Sequence, residues 1–273
     1  MFCVLSKNDY LCSVINPNCL FLMIMDELLR EMKPITLAEM SGVKLMNRTD
    51  TKFVTTMPRL VELLRMARQD YYVQDIDGQR NMLYDTTYFD TLNFGMYQEH
   101  QHGHAGRQKI RFRTYVSSNL QFMEIKTKNN HGRTKKKRIE VQDMDLTDET
   151  KRQFIRERLH FDVDTLQPHM HNYFRRVTLV NNAKTERLTI DTQLQFNNVL
   201  SGVTKDMGEL VIVELKRDGQ VFSPVLEMLR QLHIHPHGFS KYCMGAALTN
   251  SHLPVNRFKD KLRDVERIIK NEY

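Results

Sequence analysis

Four short segments of this chain place a charged or polar residue at every second position, with mainly apolar residues between. They are Lys109-Ile110-Arg111-Phe112-Arg113, Glu124-Ile125-Lys126-Thr127-Lys128, Arg187-Leu188-Thr189-Ile190-Asp191 and Ile212-Val213-Glu214-Leu215-Lys216. On a β-strand, residues i, i+2 and i+4 share a face, so each segment has one charged face and one apolar face. A single strand of this kind suits an exposed hairpin. Several in one chain, mostly carrying Arg and Lys, suit a barrel whose lumen is lined with cations and receives a polyanion.

The bulk composition agrees. The 273 residues carry a net charge of +7, with pI near 9.2, which favours an anionic partner: nucleic acid, phosphate compounds or a membrane surface. A hydrophobic content of 41% with 27% charged residues is ordinary for a soluble globular protein. Cys3, Cys12, Cys19 and Cys243 match no zinc-binding spacing, and a Cys-poor body suits a reducing, cytoplasmic compartment. The apolar run Leu20–Met25 is far too short for a bilayer span, which needs about 20 residues. No basic segment precedes it and no small-residue cleavage site follows it. Residues 1–25 are expected to be a dispensable N-terminal extension, with Met23 or Met25 as an alternative start, and residues 26–273 to form the folded domain. No other stretch is long and apolar enough to cross a membrane.

Helices are expected at Asp26–Lys33, from Pro58 with a stripe of Leu60, Leu63, Leu64 and Ala67, and at Thr147–Leu159 behind a capping-box start. Three more are expected at Ser223–Leu232, Lys241–Leu248 and Arg257–Lys270. Beyond the four alternating segments, strands are expected at Lys44–Val54, Tyr84–Thr91 and Tyr173–Val180. Gln98–Arg107 has no period and two glycines and reads as a loop. Strands in the middle and helices on the flanks give an α+β class with an antiparallel barrel.

A barrel pointing Arg111, Arg113, Lys126, Arg176 and Lys216 inward is stable only if its lumen is wet or filled by anions, because buried unpaired charge is costly. Arg suits phosphate through its planar fork of donors, and Lys acts as a point charge. A divalent ion such as Mg²⁺ is often held by one or two carboxylates plus phosphate oxygens. Glu124 and Glu214, each two residues before a lysine, are the candidates.

The order Arg48-x-Asp50-x-Lys52, YFDT at 88–91, KIRFRTY at 109–115, EIKTK at 124–128, Arg176, RLTID at 187–191, VELK at 213–216 and FSKY at 239–242 resembles the VTC domain. That domain is the polyphosphate-polymerase branch of the triphosphate tunnel metalloenzymes, the CYTH-like superfamily. The resemblance runs from about residue 40 to 250. It implies an eight-stranded antiparallel β-barrel tunnel, flanked by helices, that holds ATP or inorganic polyphosphate with Mn²⁺ or Mg²⁺. It further implies a polymerase that moves the γ-phosphoryl of ATP to a growing polyphosphate chain. By position, Arg111, Arg113, Lys126, Arg176 and Lys241 become the phosphate-gripping catalytic set. Arg48, Lys52, Lys128, Lys216 and Ser240 become substrate-binding residues, and Glu214 the metal ligand, with Glu124 as a second carboxylate. Tyr115, Asp191 and Tyr242 fall in the motifs without an assigned role. One departure stands out: the superfamily's first strand reads Glu-x-Glu-x-Lys, and here a carboxylate has become Arg48.

Two alternatives stand beside the polymerase. One is a metal-dependent tripolyphosphatase or nucleoside triphosphatase on the same scaffold. The other is a non-catalytic polyphosphate or nucleotide sensor acting on a membrane-protein partner. Nucleic acid is not expected as a partner, because the basic run His131–Arg138 has no interleaved aromatics to stack bases. That run reads as a solvated face or as an attractor of anions to a tunnel mouth. His100, His102 and His104 read as a solvated loop, and His233, His235 and His237 as a turn.

Overall fold

The alternating segments become strands of one antiparallel sheet, whose charged side faces inward and whose apolar side carries helices. The computed structural model describes residues 17–40, 48–129, 134–219 and 221–270. In chain order it runs α1 (Pro17–Glu31), β1 (Lys33–Ile35), α2 (Leu37–Met40), β2 (Arg48–Thr56), α3 (Met57–Ala67), β3 (Tyr71–Gln74), β4 (Met82–Thr91), α4 (Gly95–His102), β5 (Gln108–Tyr115) and β6 (Leu120–Lys128). It continues with β7 (Thr134–Val141), α5 (Glu149–Arg156), β8 (Leu166–Asn181), β9 (Glu186–Asn198), β10 (Thr204–Asp206), β11 (Leu210–Asp218), α6 (Pro224–Gln231), α7 (Lys241–Thr249) and α8 (Lys259–Ile269).

The mixed α+β class holds, with one correction to the architecture. Instead of the expected eight-stranded barrel, the described residues form an 11-stranded sheet whose principal path is β2-β11-β9-β8-β4-β5-β6-β7, with β1, β3 and β10 attached to its flank. Among the described residues no ladder joins β7 to β2, so the sheet is curled but not closed. Its curl shows in the charges: Glu214 of β11 acts on Lys126 of β6, and Lys52 of β2 on Lys128 of β6. A physical reason for the open seam is that both edges carry cations.

The outward apolar residues form two cores. Phe53, Val177, Leu188, Ile190, Val213 and Leu215 pack beneath α1, α3 and α6. Ile110, Phe112, Met123 and Ile125 pack beneath α5. A third core fills one end of the concave side, where Tyr88, Phe174, Phe196 and Ile212 meet α7 and α8. The expected stripe of α3 is there, with Leu60, Leu63, Leu64 and Ala67 fully buried. The capping residue of α5 is Asp148, whose side chain accepts from the Lys151 N–H, one residue after the expected Thr147.

Two expectations change. The boundary at 25/26 falls inside α1, which starts at Pro17; Met25 is fully buried against α3, with Phe21, Leu22 and Ile24 partly buried beside it. Residues 1–16 lie outside the described residues, as do Lys44–Asn47 of the expected first strand and His131–Arg133 of the basic run. Gln98–His102 is helical rather than looped. Met96 and Tyr97 are fully buried, Asp90 accepts their N–H groups at 2.9 and 3.0 Å, and Gly103 ends the helix in the left-handed conformation at φ 75°. Burial and an acidic cap at the N-terminus outweigh its polar composition. Lys135–Arg138 forms an exposed strand at the sheet edge. No helix among the described residues is long and apolar enough to cross a membrane.

Met25→Ala should lower stability by about 2–5 kcal/mol, the usual cost of emptying a buried Met site, as read by urea denaturation. Deleting residues 1–25 should cost more, since it removes half of α1. An unchanged denaturation midpoint in both would place α1 outside the cooperative fold.

Candidate functional site

Register decides which side chains meet on the concave face. Lys109 pairs with Lys126 across β5 and β6, and Lys126 with Lys136 across β6 and β7, which sets three ammonium groups in one row. In the next row Arg111 pairs with Glu124 and Glu124 with Arg138. Across the sheet, Arg176 pairs with Asp191, Glu214 with Lys52, and Lys216 with Arg187.

Three carboxylates each clamp two cations. Glu124 Oε2 accepts from Arg111 Nε and Nη2 at 2.7 and 2.5 Å, and its Oε1 accepts from Lys136 at 2.9 Å. Asp191 accepts from Arg176 at 2.5 and 2.7 Å and also from Lys241, which reaches in from the first residue of α7. Glu214 accepts from Lys52 through one oxygen and from Lys216 through the other. Burial alone would raise all three carboxyls, yet the paired cations outweigh it and hold each well below the usual carboxylate range.

Between these clamps lie cations without a carboxylate of their own. Arg113 is buried, donates to Thr86 Oγ1 at 3.2 Å, and lies over the rings of Tyr84 and Phe174 at 5.3 and 5.6 Å. Burial, then Arg111 and Arg176, push its guanidinium down to about 10. Lys126 makes no hydrogen bond to a carboxylate. Arg111, then burial and Arg113, hold it well below the ordinary lysine range. Burial also lowers Lys216, to about 8, although Glu214 opposes the shift.

The face thus gathers the expected Arg111, Arg113, Lys126, Arg176, Lys241, Lys52 and Lys216 around Glu124, Asp191 and Glu214. Lys128 and Ser240 sit at its rim, where Ser240 Oγ accepts from Lys109 Nζ at 2.7 Å and from the Cys243 N–H at 3.3 Å. Arg48 enters through its backbone alone, paired with Asp218; its side chain lies outside the described residues. Residues the motifs left without a role acquire one. Asp191 is the shared acceptor of Arg176 and Lys241. Asp90 accepts from the Tyr242 hydroxyl, Tyr242 stacks on Tyr88 at 5.3 Å, and Arg111 donates to the Tyr88 hydroxyl at 3.2 Å. Lys109 and Lys136 were missed. The alternation of 109–113 already put Lys109 on the charged face, whereas Lys136 became visible only once β7 was paired.

Among the described residues no three His, Cys, Asp or Glu side chains come together as a metal cage. The donors fit an ion that shares its shell with phosphate oxygens, which needs one or two carboxylates. Glu214 suits this role: it is ionised, and its side chain is 19% exposed. Both carboxylates already hold two cations, and Glu124 suits the second-ligand role less because its side chain is 0% exposed. It is the counter-ion of Arg111.

The family model of the VTC domain matches residues 47–250. No curated protein matches the chain. Among solved structures, an adenylyl-cyclase candidate from Hippeastrum with a dominant triphosphatase activity aligns over 77% of this chain and 99% of that chain, at TM-score 0.48 and 15% identity. An adenylate-cyclase candidate from Vibrio parahaemolyticus aligns over 73% and 97%, at TM-score 0.44 and 10% identity. Another from Bacillus halodurans aligns over 71% and 96%, at TM-score 0.43 and 13% identity.

The lowered lysines give a pH prediction with opposite signs for binding and folding. Raising pH through about 8 removes the proton of Lys216, so metal-free affinity for ATP should fall. The same group has a folded pKa below its unfolded value, so its charged form destabilises the empty fold. Stability without ligand should therefore rise between that pH and the ordinary lysine value of about 10.4. Calorimetry of ATP binding and denaturant titrations over this window check both. Affinity that is flat in pH would remove Lys216 from the binding face.

Proposed function

The chain belongs to the VTC domain family, and on that premise we propose that it is a polyphosphate polymerase, transferring the γ-phosphoryl of ATP to the end of a growing inorganic polyphosphate chain. The observation that carries this reading is the row Lys109–Lys126–Lys136, with the unclamped Arg113 further along β5, beyond the Arg111–Glu124 row. The three lysines are opposed across adjacent strands, and only Lys136 reaches a carboxylate, Glu124 of the next row. Such a row costs stability in an empty protein and is offset by a dense anion.

In this reading the γ-phosphate lies against Arg113 and Lys126, the cations left over by the clamps. Arg111, Arg176 and Lys241, aimed by Glu124 and Asp191, surround the other phosphates. An oxygen of the chain-end phosphate attacks the γ-phosphorus, the bond to the β–γ bridging oxygen breaks, and that oxygen leaves on ADP with its electron pair. The basic side chains stabilise the charge spread over the transferring group, which is most of what phosphoryl transfer requires. A divalent ion, Mn²⁺ or Mg²⁺, held beside the phosphates by Glu214 would neutralise their oxygens.

The acceptor is already an anion and needs no proton removed. That distinguishes the reading from hydrolysis, where a carboxylate with a pKa near the working pH helps a water attack. Glu124, Asp191 and Glu214 are poor bases of this kind, since their clamping cations hold them well below that range. ATP, polyphosphate and a divalent ion are the ligands proposed, and the cytoplasmic face of a membrane-protein partner is the proposed setting.

The deciding experiment incubates the pure protein with ATP and Mn²⁺ and resolves the products on a polyphosphate gel. A ladder of chains is expected; orthophosphate alone would make the protein a triphosphatase, and binding without turnover would make it a sensor. Glu214→Gln should abolish metal-dependent turnover while ATP still binds. It should also lower the stability of the empty protein, because Lys52 and Lys216 lose their shared counter-ion. Arg113→Ala should weaken ATP binding by roughly ten- to a hundredfold, from the ~1.5–3 kcal/mol of a charged hydrogen bond. Parent-like ATP affinity in that variant would remove Arg113 from the site.

A further inference from the structure

Where β2, β5, β6 and α8 meet around residues 236–240, the basic surface changes character. Pro236 bridges to Phe53 of β2, and the His237 N–H donates to the Lys52 carbonyl at 2.7 Å. Lys109 reaches Ser240 from β5. From α8, Lys261 lays its ammonium over Gly238, 3.0 Å from where a Cβ would stand. The Lys128 N–H donates to the Arg107 carbonyl at 3.0 Å, which sets these two residues side by side just beyond the Lys109–Lys126 pair.

Arg107, Lys109, Lys128 and Lys261 are half-buried, and among the described residues no carboxylate hydrogen-bonds to any of them. A solvated basic patch would splay its heads into water. Here Arg107 is pinned to the His104 carbonyl at 2.9 Å and Lys109 to Ser240, while the Lys261 ammonium lies over Gly238. Their fields converge. After burial, Arg107, Lys109, Lys261 and Lys52 all lower Lys128, and burial with the first three and Lys128 pushes the neighbouring His100 down to about 2. On the concave face Glu124, Asp191 and Glu214 each hold two cations, whereas the carboxylate at this rim, Asp264 of α8, faces His237 at 3.4 Å and not these four cations. Lys261 lies beyond the residues the family model matches, and Arg107 lies in none of the sequence motifs.

We propose that Arg107, Lys128 and Lys261, with Lys109, form a second phosphate subsite that holds the stretch of a linear polyphosphate running outside the phosphates gripped by Arg111 and Arg113. The inference rests on the polyphosphate reading above. It makes the protein selective for phosphate chains longer than a triphosphate. The inner face takes the reacting phosphates, and the rim takes the next ones along the chain. Because the rim lies beyond the Lys109–Lys126 pair, its contribution belongs to long chains alone.

The test is calorimetric and needs no turnover. Tripolyphosphate and a long-chain polyphosphate are titrated, at matched ionic strength and without metal, into the full chain and into the Arg107→Ala/Lys261→Ala double variant. Losing two charged contacts should weaken the long chain by about tenfold or more and tripolyphosphate by less than about twofold. Lys261→Arg should retain long-chain affinity, and matched melting temperatures would show that the variants fold. Equal losses for both ligands, or none for the long chain, would overturn the subsite. So would equal displacement of the long chain by a single-stranded oligonucleotide of the same charge, which would mean that the rim takes any polyanion. A parent that binds both phosphates with this length dependence yet never makes polyphosphate would sink the polymerase reading and leave the subsite standing.

Discussion

The sharing of one carboxylate between two cations is the interaction on which this molecule depends. Glu124 serves Arg111 and Lys136, Asp191 serves Arg176 and Lys241, and Glu214 serves Lys52 and Lys216. Each clamp joins side chains from different strands, or a strand and α7, so electrostatics and topology are fixed together. Without the clamps, cations taken out of water would repel one another at the effective dielectric of a protein interior. With them, the face still has an excess of positive charge, concentrated at Arg113 and Lys126. The arrangement pairs most of its buried charge and leaves a positive surplus that suits an anion.

The helices turn this charge pattern into a fixed geometry. Those on the outer face bury the apolar side of every second residue, and α7 with α8 fills one end of the concave side with Tyr242, Cys243, Met244 and Val265. Tyr242 links the two tasks. Its ring packs on Tyr88, which touches Arg111, and its hydroxyl is tied to Asp90, which also caps α4. An arginine on the concave face is thereby positioned by a chain of contacts leading back to a helix on the far side of β4.

What the sequence made legible follows from periodicity. A period of two identifies the inward set Arg111, Arg113, Lys126 and Glu214 without any knowledge of which strands are neighbours. The partners of that set depend on register, and register is not written in a single strand. Asp191 could be placed on a charged face, but its role as acceptor for Arg176 required the β8–β9 pairing, which shifts between Tyr173 and Arg175. Lys136 sat in a run of four basic residues with no apolar alternation to give its direction. The run Leu20–Met25, too short for a bilayer, had a second explanation as a core-facing turn of helix, and tertiary burial of Met25 selects that one. Gln98–His102 looked unstructured because its helix is stabilised from outside, by the Asp90 carboxylate and the packing of Met96 and Tyr97.

The open seam between β7 and β2 bears on how a long polymer would reach the basic face. A closed barrel admits a chain only end-first, or after a ladder has been broken at a net ~0.5–1.5 kcal/mol for each hydrogen bond. Among the described residues this sheet has no ladder to break there. If the protein takes polyphosphate as proposed, the middle of a phosphate chain could be laid in sideways there and its end need not be found first.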